Sequence, residues 1–190
     1  MFYDFSHRHT PCTVDGTPDT VILSRDSKST SFVTKEYLYN ATFAPTSTAQ
    51  GGSLLEVEGN TLIIQTMRPT TEKDRYCSAV KCNVQVEVQR YKQGYDGNDN
   101  EIGDSGFPAV QSDVFGFAQA VNARMRQEDL GILATTTHIL YIQSIVDVKK
   151  PQEAKQPDRI VMNGLPYQVG AIDDLKLPNQ YVIQLSEDVR

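Results

Sequence analysis

The feature of this 190-residue chain that most constrains its fold lies near its end, where DRIVMNGLPYQVGAIDD is followed by NQYVIQLSED. Asn163-Gly164 is a dipeptide that readily takes the left-handed angles of a two-residue hairpin turn. With the turn there, Ile160, Met162, Leu165, Tyr167 and Val169 share one face, and Arg159, Val161, Pro166 and Gln168 share the other. Pro166 then stands opposite Val161 at a non-hydrogen-bonded pair, so its missing N–H points away from the partner strand, as at a sheet edge. The apolar face of one hairpin does not offset the entropy of ordering it. It must lie on other strands, as the rim of a small barrel.

Earlier segments supply those strands. TVILSR (20–25) reads as a first strand after a polar arm, 1–18, expected to order on a partner. LLEVEGNTLIIQT reads as a hairpin turning at Gly59-Asn60, with Leu55, Val57, Leu62 and Ile64 on one face. NVQVEVQR alternates with Val84, Val86 and Val88 inward, the pattern of a half-exposed strand. A polar tract leads into a helix capped by Ser112 or Asp113 and ended by Gly131, with Val114, Phe117, Val121 and Met125 at helical spacing. HILYIQSIVDV (138–148) reads as a long apolar strand. Strands outnumber helices too strongly for alternating βαβ units. The expected fold is therefore mainly β, a small antiparallel β-barrel or sandwich of about seven strands with one inserted α-helix and long loops. It is read as one domain over 1–190, with the arm 1–18, a long loop 26–53 and a loop-helix insertion 91–130.

Candidate chemistry is sparse. GDSGFP (103–108) resembles the motif around the nucleophile of chymotrypsin-like serine proteases, with Ser105 in the nucleophile's place. The upstream histidines, His7 and His9, precede the first expected strand, and Phe107 replaces the second motif glycine. Asp96, Asn98 and Asn100 alternate as in a calcium loop, but Glu101 and Phe107 stand where the glycine and the bidentate Glu belong. No phosphate loop or dinucleotide fingerprint is present. The expectation is a protein that is not an enzyme, with no catalytic residues, no cofactor and no metal. The features left over are aromatic and polar stretches suited to protein contacts. Phe32, Tyr37 and Tyr39 in one loop, and Tyr95, Asp96, Asn98 and Asp99 in the other, are the candidate channel or subunit-interface residues.

The net charge is −6 and the basic residues are dispersed, so there is no basic footprint for gripping nucleic acid. MFYDFSHRH lacks an apolar signal core, and no run approaches a membrane span. A soluble protein made in the cytoplasm is expected. Cys12, Cys77 and Cys82 are read as free thiols, since an odd count in a chain of this size argues against a disulfide framework.

The order of elements from His138 onward resembles the head-closure, or stopper, proteins of tailed bacteriophages, neck components between the portal-adaptor complex and the tail. The resemblance rests on the 138–148 strand, on DRIVMNGLPYQV with Arg159, Ile160, Gly164, Tyr167 and Val169, on Ile172-Asp173 and on YVIQLSED. In that family an Arg-Ile strand, a tight Gly turn and a Tyr-x-Val strand close the barrel. The match covers about a third of the chain. It implies a subunit that forms a ring with itself, commonly a dodecamer. Its partners would be the adaptor and portal above, tail terminator or tail proteins below, and packaged double-stranded DNA passing through without sequence-specific binding. It also implies a place in the virion, after assembly in the host cytoplasm and without a membrane partner. The alternatives are a tail terminator or other tail-tube ring component, a small chymotrypsin-like protease using Ser105, and a stand-alone ligand-binding barrel.

Overall fold

Tight two-residue turns set much of the architecture. The computed structural model describes residues 2–26, 36–95, 98 and 100–190. Among these a 3-10 segment, Phe2–Arg8, precedes β1 (Thr10–Val14) and β2 (Thr17–Arg25), which are joined at Asp15-Gly16 with both residues at positive φ, 48° and 78°. Then come β3 (Leu38–Phe43), β4 (Leu54–Val57), β5 (Asn60–Pro69) and β6 (Arg75–Lys81). These six strands close into an antiparallel barrel in the order β1-β2-β3-β6-β5-β4.

After Cys82-Asn83 the chain builds a second barrel. Its strands are β7 (Val84–Gln89), β10 (Ala109–Ala120), β11 (His138–Gln143), β12 (Arg159–Met162), β13 (Leu165–Asp173) and β14 (Gln180–Glu187). They close antiparallel in the order β10-β11-β14-β13-β12-β7. Between β7 and β10 the chain leaves the barrel as a two-stranded ribbon, β8 (Lys92–Tyr95) and β9 (Glu101–Gly106). The one α-helix among the described residues is α1 (Ala123–Glu128).

The mainly β, antiparallel barrel architecture read from the sequence is present, and the chain builds it twice. Five local expectations are corrected. The arm 1–18 is a hairpin strand with a docked leader: Asp15-Gly16 makes the turn, and Phe2 is buried, stacked on His9 at 4.1 Å with its N–H donating to Asp74 at 2.8 Å. The stretch 26–53 is not one loop, because β3 runs through it and Ala49, Gly51, Gly52 and Ser53 are buried. The turn of the second hairpin is Glu58-Gly59, one residue earlier than expected. Gly59 takes the second central position of a turn with both residues at positive φ, and Val57 pairs with Asn60.

The fourth correction concerns the expected helix from Ser112 or Asp113 to Gly131. Its first half is β10, and α1 is a short helix capped by the Asn122 side chain, whose Oδ1 accepts from the Met125 N–H at 2.9 Å, and ended at Asp129. From Val114 to Ala118, β10 is covered on both faces. Val114 and Ala118 enter the core of the second barrel, while Phe117 enters the contact between barrels. Burial on both faces hides the period-two signal, and Val121 and Met125 then extend an apparent helical spacing. The 138–148 run is likewise divided, since β11 ends at Gln143 and a turn follows.

Each barrel has its own core. Val14, Val21, Phe43, Leu55, Leu62, Ile64 and Cys77 fill the first, and Val88, Leu140, Ile142, Ile160, Val169 and Leu185 the second. The barrels meet along a seam of Leu38, Ile63, Val80 and Phe117, flanked by Tyr37, Leu54, Cys82 and Tyr141. Polar bonds also cross it. The Gln180 amide donates to the carbonyls of Ile64 and Gln65, both at 3.1 Å, and the Gln143 amide donates to Gly52 O at 2.9 Å.

Candidate functional site

The closing hairpin forms in the register read from the sequence, with Ile160 opposite Tyr167 and Val161 opposite Pro166. Asn163 and Gly164 make its turn at φ 52° and 78°. Ile160, Met162, Tyr167 and Val169 are buried, and Leu165, in the same phase but at the tip, is 59% exposed. Tyr167 meets the edge of His138 at 5.1 Å. Strand β13 is not an edge, because it pairs with both β12 and β14. Pro166 is tolerated because it stands where the β14 ladder ends, with its carbonyl accepting the Asp188 N–H at 3.3 Å.

Arg159 begins the hairpin and points to a cleft at the root of the ribbon. The cleft has a volume of about 500 Å³ and is lined by Tyr91, Ser105, Gly106, Phe107, Gln156, Arg159 and Arg190. The Arg159 guanidinium lies 3.9 Å from the centre of the Phe107 ring, and its Nε donates to Asp188 Oδ2 at 2.7 Å. Arg190 lies 4.8 Å from the same ring and donates to Asp188 from Nε and Nη2, both at 2.8 Å. Burial by itself would raise the Asp188 carboxyl, but the bonds from Arg190 and Arg159 outweigh it and hold the group well below the usual carboxylate range. Ser105 borders this cleft, and the lining offers it no histidine. His9 stacks on Phe2 by the first barrel, and His138 stands in β11.

The interface candidates are divided by the fold. Tyr37 packs at the seam, 5.6 Å from the Phe117 ring, and Tyr39 stands in β3 against the core of the first barrel, so neither lies on a projecting loop. Their aromatic bulk is used to join and fill barrels. Tyr95 is on the ribbon, partly exposed, with Lys155 Nζ donating to its hydroxyl at 2.9 Å. Asn98 is exposed in the ribbon's turn. Phe32, Asp96 and Asp99 lie outside the described residues.

A second polar cluster was not legible in the sequence. Arg90, where the chain leaves β7, donates to Asp158 from Nε at 3.0 Å and from Nη2 at 2.9 Å, and to both oxygens of Asp147 at 3.0 Å. Asp158 also accepts the Lys149 N–H at 2.9 Å. Asp147 and Asp158 lie 57 and 68 positions from Arg90, and no local spacing announces their meeting.

Elsewhere, a trough of about 600 Å³ crosses the outer face of the second barrel, bordered by Gln85, Glu87, Ser112, Asp113, Phe115 and Asn163. The Glu87 carboxylate accepts there from Gln89 at 2.6 Å and from Ser112 at 3.2 Å. Cys12, Cys77 and Cys82 are free thiols that burial pushes up to about 11, 12 and 12, which makes them poor nucleophiles at neutral pH. Among the described residues no three His, Cys, Asp or Glu side chains come together to hold a metal ion, and no helix is long and apolar enough to cross a membrane. No protein-family model matches the chain, and no curated protein matches it.

Proposed function

We propose that this protein is a structural subunit of the neck of a tailed bacteriophage, one copy in a ring between the portal-adaptor complex and the tail. The observation that carries this reading is the closing hairpin. The Arg-Ile strand, the Asn163-Gly164 turn and the Tyr-x-Val strand on which the resemblance to head-closure proteins rests are the strands that seal the second barrel against β7 and β14.

Other features support it. The ribbon stands off the barrel and presents strand edges that a neighbouring chain can pair with. Leu130 and Leu175 are 90% and 91% exposed on two loops tied together by Lys176 and Asp129 at 2.9 Å, an apolar pair suited to contact with another protein. The net charge of −6 suits a channel wall past which DNA slides without adhering. In this reading the protein acts by assembly. Its partners are further copies in a ring, commonly twelve, with the adaptor on one side and tail proteins on the other.

Antibody raised against the recombinant chain, applied to gradient-purified particles from a source lysate and imaged by electron microscopy, tests the proposal. Label at the head-tail vertex is the expected result. Label at the distal end of the tail would transfer the protein to a tail ring, and protein confined to the soluble fraction would overturn the reading.

A further inference from the structure

We propose that the residues following β14, Asp188 to Arg190, form a latch that sets the rigidity of the β8–β9 ribbon. A two-stranded ribbon with neither face packed in a barrel is marginal by itself. Its order must therefore be supplied where it joins the barrel. That junction is Tyr91 and Phe107, whose rings are 5.5 Å apart at the ends of the two ribbon strands.

The ring of Phe107 carries both guanidinium groups of the cleft, Arg159 at 3.9 Å and Arg190 at 4.8 Å. Stacking of this kind fixes a planar cation over an aromatic face. The two cations are themselves fixed by one carboxylate, since Asp188 accepts from Arg159 at 2.7 Å and from Arg190 at 2.8 Å through each oxygen. The Asp188 side chain has no solvent exposure, and its arginine partners are 16% and 28% exposed. Charge-assisted bonds sheltered in this way are stronger than surface pairs and hold their geometry. Arg159 also donates to the Arg190 carbonyl at 3.2 Å, so the segment is held by backbone as well as side chain.

What makes this a latch is its position relative to the sheet. Strand β14 ends at Glu187, so Asp188–Arg190 can leave at the cost of one terminal backbone bond of the β13–β14 ladder, Asp188 N–H to Pro166 O at 3.3 Å, with the pairs from Gln168–Ser186 inward kept. Val189, between the two gripping residues, is 94% exposed, which gives a partner a handle on the segment. Closed, the latch presses two cations onto Phe107 and the ribbon stands rigidly off the barrel. Open, the ribbon keeps its lateral contact through Lys155 and Tyr95 but loses its clamp at the root. The latch is independent of the neck reading, because it needs only the isolated chain.

Hydrogen exchange read by mass spectrometry on the full chain tests it, comparing the wild type with Asp188→Asn. The expected result is exchange roughly tenfold faster or more in peptides covering 92–106, with peptides from β11 and β14 at wild-type rates. Phe107→Leu leaves every bond of Asp188 in place while removing the aromatic face, and should quicken the same ribbon peptides. It is also the variant to read if Asp188→Asn does not fold. Unchanged ribbon exchange in a folded variant would overturn the latch. So would acceleration spread equally over β11 and β14, which would make the three residues part of the barrel's general stability.

Discussion

Asp158 has no solvent exposure, and its charge is matched by the guanidinium of Arg90, itself 22% exposed. Removing one partner of a buried pair leaves the other uncompensated, typically at about 3–5 kcal/mol. Arg90→Met is therefore expected to destabilise the protein by about 3 kcal/mol or more, measured as a shift in urea midpoint. Asp158→Asn should cost clearly less, because Asp147 still accepts from both terminal nitrogens of Arg90. Equal losses in the two variants would show that packing, not charge, holds this corner. Asp188 allows a test by pH. Its carboxyl is held below its ordinary value in the folded state, so the unfolded chain binds the proton more readily. The stabilisation it confers is fully present above about pH 4 and is lost as the pH falls through the depressed folded-state value. The stability difference between wild type and Asp188→Asn should stay flat from pH 8 to about 4 and shrink only below. A difference that fades between pH 7 and 5 would assign the effect to another group.

At the scale of elements, the turn at Gly51-Gly52 in the first barrel meets the Pro178-Asn179 turn in the second. Gly52 has φ 87°, and a Cβ there would strike the carbonyl of Asn179. Its N–H donates to Ile64 O at 2.7 Å and its carbonyl accepts from Gln143, so the backbone has no freedom to withdraw. Gly52→Ala combines left-handed strain with overpacking and is expected to cost about 3 kcal/mol. Gly16→Ala supplies the comparison, with φ 78° and nothing within 4 Å of a new Cβ. It should cost about 1–2 kcal/mol, and comparable losses in the two variants would show that the turns do not abut in solution. These elements also mark what the sequence makes legible. Val84, Val86 and Val88 alternate because β7 has one wet face, and Asn163-Gly164 announces its hairpin because few dipeptides take those angles. Asp15-Gly16 carries the same turn signal, but few apolar residues flank it to mark the strands on either side. The seam hid β10, whose Phe117 is apolar for the sake of the other barrel. Arg90, Asp147 and Asp158, like the cations on Phe107, meet only once strands far apart in sequence have paired.

At the scale of the whole molecule, two barrels follow one another in the chain, and a single link, Cys82-Asn83, passes between them. Local alternation cannot announce this doubling, because closure is a property of which strands pair, and a strand looks the same in either barrel. The seam then decides whether the pair behaves as one body. Phe117 is its pivot, buried with Tyr37 at 5.6 Å on one side and Tyr141 at 6.1 Å on the other. Phe117→Ala removes that aromatic and leaves a cavity between barrels, a change that typically costs about 3–5 kcal/mol. Neither barrel's interior contains the ring, so the loss should fall on the coupling between them. Wild-type unfolding in urea is expected to be one transition, with exchange protection of Val88 and Leu185 in the second barrel lost together with that of Ile64 and Ala79 in the first. In Phe117→Ala the two sets should separate along the urea axis. A single transition merely moved to lower urea would mean that the polar bonds of Gln143 and Gln180 suffice to bind the barrels. On the proposed neck reading, load passes between head and tail through this rigid pairing, and the same variant is expected to assemble poorly while each barrel remains folded.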